Sequence, residues 1–422
     1  MKLEDLVDFN PRTPVPKGES APFVDMASLP TGDKHFPVSA FRVFKGSCSK
    51  FKDGDTLLAR ITPCLENGKG GFVQGLGESV FAHGSTEFIV LRAKKVSDKD
   101  FTFYITKHPD FRAFAIKQMS GTSGRQRVAW QSLTDYELFD LRPEEREAIG
   151  KLLSALDDKI ELNRRMNATL EAMARALFRD WFVDFGPTRA KMAGDDPYLA
   201  PEIWSLFPDQ LDEEGKPEGW ETQSVIDQAE WINGAAYKNM HFTNAPDALP
   251  VVKIAELKAG VTPNTKWTNT ALGEKYRITD GELLFSWSGN PDTSIDAFIW
   301  TGGPAWLNQH IFAVRDNDMR TPAFLYTMLK WLKPEFSEIA RNKQTTGLGH
   351  VTKQDMKRMQ IHVGSKGLLE QFENLVGPIF ARLQSNLFET RTLAKTRDLL
   401  LPKLMSGEIR VCEAEDIVEA AG

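Results

Sequence analysis

Apolar residues recur at three- and four-residue steps in two widely separated stretches of this chain, with shorter, strand-like runs elsewhere. In the first stretch, Ile149, Leu152, Leu156, Ile160, Met166, Leu170, Met173 and Leu177 form one stripe, with a gap at Asn163. Such a stripe is the buried face of an amphipathic helix with a near-heptad seam. Pro143 suits the first turn, where its missing N–H costs nothing, and Glu144, Glu145 and Glu147 suit the positive end of the helix dipole. A helix over 145–181 would be roughly 54 Å long at 1.5 Å per residue, too long for one small domain to bury. In the second stretch, Phe372, Leu375, Ile379, Leu383, Leu393 and Leu400 form a comparable stripe over 366–401. Pro378 interrupts it and predicts a kink or the start of the main helical segment.

Strand patterns fill the remaining blocks. Asp53-Gly54-Asp55 is a turn that feeds Thr56–Ile61, and Phe88-Ile89-Val90-Leu91 is a buried strand. Asp100–Lys107 and Thr321–Leu332 have helical spacing. Each block is therefore mixed α/β.

The two blocks repeat one another. Ala21–Leu29 aligns with Leu249–Leu257 at an offset of 228 residues, Asp53–Leu58 with Asp280–Phe285 at 227, and Ser85–Arg92 with Asn308–Arg315 at 223. Gly124, Val128, Gln131 and Asn163 match Gly347, Val351, Gln354 and Asn386 at the same 223. The constant order and nearly constant offset indicate a duplicated domain plus helix, and the long period excludes a solenoid. The expected architecture is two similar globular α/β domains separated by two long helices packed as an antiparallel coiled coil, with an internal pseudo-twofold repeat. The seam would bring Leu152, Leu156, Ile160, Leu170 and Leu177 against Leu375, Ile379, Leu383, Leu393 and Leu400, with Asn163 and Asn386 fixing the register. The boundaries are a first domain at 1–142, its helix at 143–186, an acidic turn-rich linker at 187–219, a second domain at 220–364, its helix at 365–406 and an acidic tail at 407–422.

Charge is uneven along the chain. The net charge is −6, yet residues 45–127 hold 14 Lys/Arg against 8 Asp/Glu, and residues 235–365 hold 15 against 12. Residues 190–230 hold 2 against 11. Acidity thus sits in the linker and tail while these two long blocks stay basic, as an anionic partner requires. No apolar run is long enough to span a membrane, and the charged start Met1-Lys2-Leu3-Glu4-Asp5 lacks a secretory core. Cys48, Cys64 and Cys412 are far apart, which suits a reducing cytoplasm and neither a zinc site nor a disulfide framework.

Catalytic patterns are missing. There is no phosphate-binding glycine loop and no paired histidine motif. Pro208-Asp209 with Glu214 and Lys216 imitates a nuclease pattern, but its spacing is too short for carboxylates on neighbouring strands to share a metal. Nucleic-acid contact is better supplied. Thr122, Ser123, Arg125, Gln126 and Arg127 lie in a small, basic loop between Gly121 and Val128. Its repeat counterpart carries Thr345, Thr346 and His350, with Arg341 and Lys343 just before. Hydroxyls and cations bind phosphate, and Arg or Gln reads guanine or adenine edges. Arg60, Asn67 and Lys69 in the first domain, and Trp287, Ser288 and Asn290 in the second, follow the matched strand and would be presented to a groove. No metal ligand and no catalytic residue is expected.

Three motifs carry a resemblance. Phe178-Arg179-Asp180-Trp181-Phe182-Val183-Asp184-Phe185-Gly186-Pro187, Pro217-Glu218-Gly219-Trp220, and Leu399-Leu400-Leu401-Pro402-Lys403-Leu404-Met405-Ser406-Gly407-Glu408-Ile409 resemble segments of Type I restriction–modification specificity subunits. They match, in order, the end of the central helix, the start of the second target-recognition domain and the end of the C-terminal helix. The resemblance implies two target-recognition domains, each reading half of a bipartite double-stranded DNA site, with the helices as a ruler for the spacer. It implies two modification subunits docked mainly on the helices, and restriction subunits beyond them. S-adenosylmethionine, ATP and magnesium would sit on those partners and none in this chain. A recognition fragment of a single-chain restriction–modification enzyme and a protein-binding adaptor are the alternatives.

Overall fold

A computed structural model of the chain describes residues 1–38, 40–77, 81–122, 124–344 and 347–421. The chain forms two compact units. Residues 1–163 with 389–422 make the first, and 164–388 the second. Two helices of 40 residues, Pro143–Phe182 and Lys366–Met405, each contribute one half to each unit.

The duplication reappears as identical topology. In the first unit an antiparallel sheet runs Val7–Phe9, Phe88–Ala93, Thr56–Ala59, Gly70–Phe72 across its width. In the second unit the corresponding sheet runs Glu230–Asn233, Ile311–Arg315, Leu283–Ser286, Asp296–Ile299. A further four-stranded sheet in each unit has one parallel pair at the same place. Phe23 and Val24 face His83 and Gly84 in one, and Val251 and Val252 face Trp306 and Leu307 in the other. The central strands are buried at every position, because both sheet faces are covered. An ion pair bracing the sheet is also repeated. Arg92 Nε donates to Asp55 Oδ1 at 2.7 Å, and Arg315 Nη2 to Glu282 Oε2 at 3.1 Å.

The helical segments run further than their local patterns. The stretch after the inner strand Phe88–Ala93 in the first unit is helical over Lys99–Lys107 and again over Pro109–Lys117, where His108 accepts a cap hydrogen bond from the Asp110 N–H. The matching helix of the second unit, Pro322–Asn342, passes uninterrupted through Pro334. Lys366–Met405 likewise passes through Pro378, so the expected start of the main segment there is not observed. Pro378 sits on the exposed side, and burial of Phe372, Val376 and Leu383 on the other face outweighs one lost backbone hydrogen bond.

Within each unit the helix halves pair antiparallel. In the first, Asn163 Nδ2 donates to Glu389 Oε2 at 2.8 Å, and Asp157 meets Arg397 eight residues further along the partner. In the second, Asn386 Nδ2 donates to Asn167 Oδ1 at 2.8 Å, and Phe178 and Phe182 pack on Phe372. Asn163 and Asn386 are fully buried, and among the described residues the Oδ1 of each has no hydrogen-bond partner. A polar group so placed penalises any slip that would bury it elsewhere.

The seam differs in detail from the stripe. Leu156, Ile160, Leu383 and Leu400 are buried as expected. Leu152, Leu170, Leu177, Ile379 and Leu393 are half-buried, and the core position beside Leu152 belongs to Leu153. Leu375 is exposed, and its neighbour Val376 takes the core. A 3.6-residue helix drifts against a heptad, so the buried position moves by one over several turns.

Two segments are more structured than a linker and a tail. Gly186–Ala193 and Pro201–Trp204 are helical, and Phe207 and Trp220 join the second unit's core. Val411–Ala421 is a helix whose Ala414 is fully buried in the first unit's core, with Val411 and Val418 beside it. Apolar residues three and four apart on that acidic helix make the inner face.

Candidate nucleic-acid interface

The buried strand Thr56–Ala59 ends at Arg60, and a backbone clamp fixes that residue. The Arg60 N–H donates to the Glu87 carbonyl at 3.0 Å, and the Arg60 carbonyl accepts from the Val128 N–H at 2.9 Å. Ile61 then bridges to Arg127. The second unit repeats this frame atom for atom. The Trp287 N–H donates to the His310 carbonyl at 3.4 Å, the Trp287 carbonyl accepts from the Val351 N–H at 2.8 Å, and Ser288 pairs with His350. The offsets of these pairs are the 227 and 223 of the sequence repeat.

The side chains on the shared frame differ. In the first unit Arg127 forks onto Glu87, with Nε at 2.9 Å from Oε2 and Nη2 at 2.7 Å from Oε1. That hydrogen bond holds the Glu87 carboxyl below the usual carboxylate range and raises the Arg127 guanidinium. In the second unit the same places hold Trp287, His310 and His350. The Trp287 and His310 ring centroids are 5.5 Å apart, and Trp287 Nε1 donates to Asn233 Oδ1 at 2.9 Å.

The loop Gly121–Gln126 rises from this clamp. Gly121 and Gly124 take φ of +128° and +79°, values that side chains disfavour. Thr62 holds the far end, its Oγ1 accepting from the Gln126 N–H at 3.1 Å. Thr122 and Arg125 are exposed at the tip, and among the described residues no carboxylate pairs with Arg125. Gln126 is half-buried, and Asn67 is exposed on a neighbouring turn. Ser123, Thr345 and Thr346 lie outside the described residues.

Several expected contacts are engaged within the fold. Lys69 Nζ donates to the Met26 carbonyl at 2.9 Å. Arg341 pairs with Asp292 at 2.6 Å, and Lys343 with the buried Asp355 at 2.5 Å. Asn290 Oδ1 accepts from the N–H groups of Asp292 and Thr293 and so closes a turn. Ser288 is half-buried in the strand pair with His350. Lys216 is bonded to Asp212 and Glu214, which accounts for the nuclease-like cluster as a surface turn. Among the described residues no group of three or more His, Cys, Asp or Glu is placed to hold a metal, and no helix is long and apolar enough to cross a membrane.

Two similar sheet frames thus present different side chains at equivalent places. A family model described as the Type I restriction modification DNA specificity domain matches residues 217–367. The chain is 26% identical over 425 residues to the HindI specificity subunit of Haemophilus influenzae, covering 89% of this chain and 91% of that one. It is 28% identical over 326 residues to the MjaIX specificity subunit of Methanocaldococcus jannaschii, covering 74% and 70%. The fold is similar to the crystal structure of a Type I restriction–modification S subunit from M. genitalium, with a TM-score of 0.51 at 15% identity over 96% of this chain and 95% of that one. Along most of its length the chain is thus similar to Type I restriction-enzyme specificity subunits, and residues 217–367 match their DNA specificity domain.

Proposed function

We propose that each unit reads one half of a bipartite double-stranded DNA target, and that the paired helices set the length of the unread spacer. The helices also dock two modification subunits. Those subunits carry S-adenosylmethionine, and restriction subunits carry ATP and magnesium, in a cytoplasmic complex. The observation that supports this reading is the repeated clamp. One backbone frame holds Arg60, Glu87 and Arg127 in the first unit and Trp287, His310 and His350 in the second. A constant frame with exchanged side chains is what reading two different half-sites requires.

Arg125 and Arg127 should then behave differently. Arg125→Ala in the assembled complex should weaken duplex binding. A phosphate contact gives a loss that is uniform across sequences, and a base contact relaxes one position at a cost of about 1–3 kcal/mol. Arg127→Ala should have the smaller effect on affinity, because Glu87 already neutralises it. Binding isotherms on cognate and shuffled duplexes measure both. Unchanged affinity and preference in Arg125→Ala would remove the loop from the interface.

A further inference from the structure

The first unit has a cleft that loop chemistry alone does not reveal. It lies between the segment 10–16 and the segment 46–52. Two adjoining cavities of about 440 and 800 Å³ share Arg12, Thr13 and Lys50 as lining residues. Arg60 lines the first, and Lys52 and Arg92 line the second. No Asp or Glu lines either one, in a chain whose acids outnumber its bases by 58 to 52.

The cations differ in what they are already doing. Arg92 is satisfied by Asp55 and by Thr13 Oγ1 at 2.9 Å, so it braces the wall. Arg12 and Lys52 are exposed, and among the described residues neither side chain has an ion-pair partner. Lys50 Nζ lies over the Phe44 ring at 5.1 Å and has no carboxylate partner among the described residues. Arg60 Nε is enclosed without a hydrogen-bond acceptor, because Glu87 stands 4.0 Å away and is forked by Arg127. An enclosed guanidinium N–H with no acceptor is costly to leave unmade. It therefore points to an acceptor atom on an incoming ligand.

The repeat indicates which cation serves which purpose. Lys50 pairs in register with His83, and Arg277 pairs with Trp306, the residue 223 positions after His83. Lys50 and Arg277 are thus equivalents, so both copies keep a cation there. Arg60 and Trp287 are also equivalents, and there the chemistry changes. A retained cation suits the DNA backbone, which is the same in every sequence, and an exchanged side chain suits the bases.

We propose that this cleft seats the sugar–phosphate backbone of bound DNA, with Arg12 and Lys50 as phosphate contacts and Arg277 as the counterpart of Lys50 in the second unit. The inference rests on the DNA-reading function proposed above. The test uses the chain assembled with its modification subunits, as wild type, Arg12→Ala, Lys50→Ala and the double variant. Dissociation constants are measured between 50 and 200 mM salt on a cognate and an unrelated duplex. Each lost phosphate contact should make the slope of log K against log salt shallower by about 0.9. The loss should be equal on both duplexes. Cys48 lines the same cleft and Cys412 is exposed elsewhere on this unit, so bound duplex should slow alkylation of Cys48 and leave Cys412 reactive. Wild-type slopes in all variants, or a loss confined to one base position, would overturn the phosphate seat while leaving DNA reading intact. A wild-type complex with no salt-dependent affinity for any duplex would overturn both.

Discussion

Adding one heptad to each long helix, between Asn163 and Asn167 in the first and between Asn386 and Glu389 in the second, should lengthen the unread spacer and leave both half-sites unchanged. Seven residues add about 10 Å of helix, or about three base-pair steps at 3.4 Å each. The heptad preserves the seam, so Asn163 can still reach Glu389 and Asn386 can still reach Asn167. Methylation at the original spacing should fall to background, and methylation at the new spacing should replace it. Motif discovery from modified bases in cells carrying each version measures this. A spacer that stays constant while methylation persists would remove the helices as the ruler.

The second large effect concerns stability. Asp157 and Arg397 join the two helices inside the first unit, and both side chains are almost wholly enclosed, at 3% and 8% exposure. The Tyr104 O–H also donates to Asp157 Oδ2 at 2.6 Å, and Asp398 supports the guanidinium from its outer side. Burial lowers the Arg397 pKa, but Asp157 and Asp398 overcome this and hold it above its ordinary value. Removing one partner leaves the other charge buried and uncompensated. Arg397→Met should therefore destabilise the first unit by about 3–5 kcal/mol. The double change Asp157→Asn with Arg397→Met should recover most of that loss, since neither charge remains. Denaturant titration reads both. A loss below about 1 kcal/mol in the single variant would mean that water reaches the pair.

The repeat made much of this fold legible. Offsets of 228, 227 and 223 place Val24 with Val252, Asp55 with Glu282 and Arg92 with Arg315, and each of these pairs occupies the same register in its sheet. The helices were legible because a 3.6-residue stripe is a local signal. Their exact inner face was not, because drift exchanges Leu152 for Leu153 and Leu375 for Val376. The tail helix was hidden by its acidity, which outweighs the few apolar residues around Ala414.

The frame that carries the candidate interface was legible in the repeat, and its side-chain partners were less so. The sequence brings Arg60 and Trp287 to strand ends and sets the basic loop at 121–127. It does not say that Glu87 waits for Arg127, or that Asp355 waits for Lys343, because such partners meet only when the sheets close. The same holds for Arg12. Nothing near it in the sequence signals binding, and it becomes informative only when Thr13 joins Arg92 across the fold and brings the segment beside Lys50.

The most direct test of the central claim is single-molecule sequencing of N6-methyladenine in cells expressing a candidate modification subunit, with and without this chain. The account predicts a gapped, two-part motif that is methylated only when the chain is present. Methylation that is independent of the chain, or none beside a demonstrably competent partner, would contradict it.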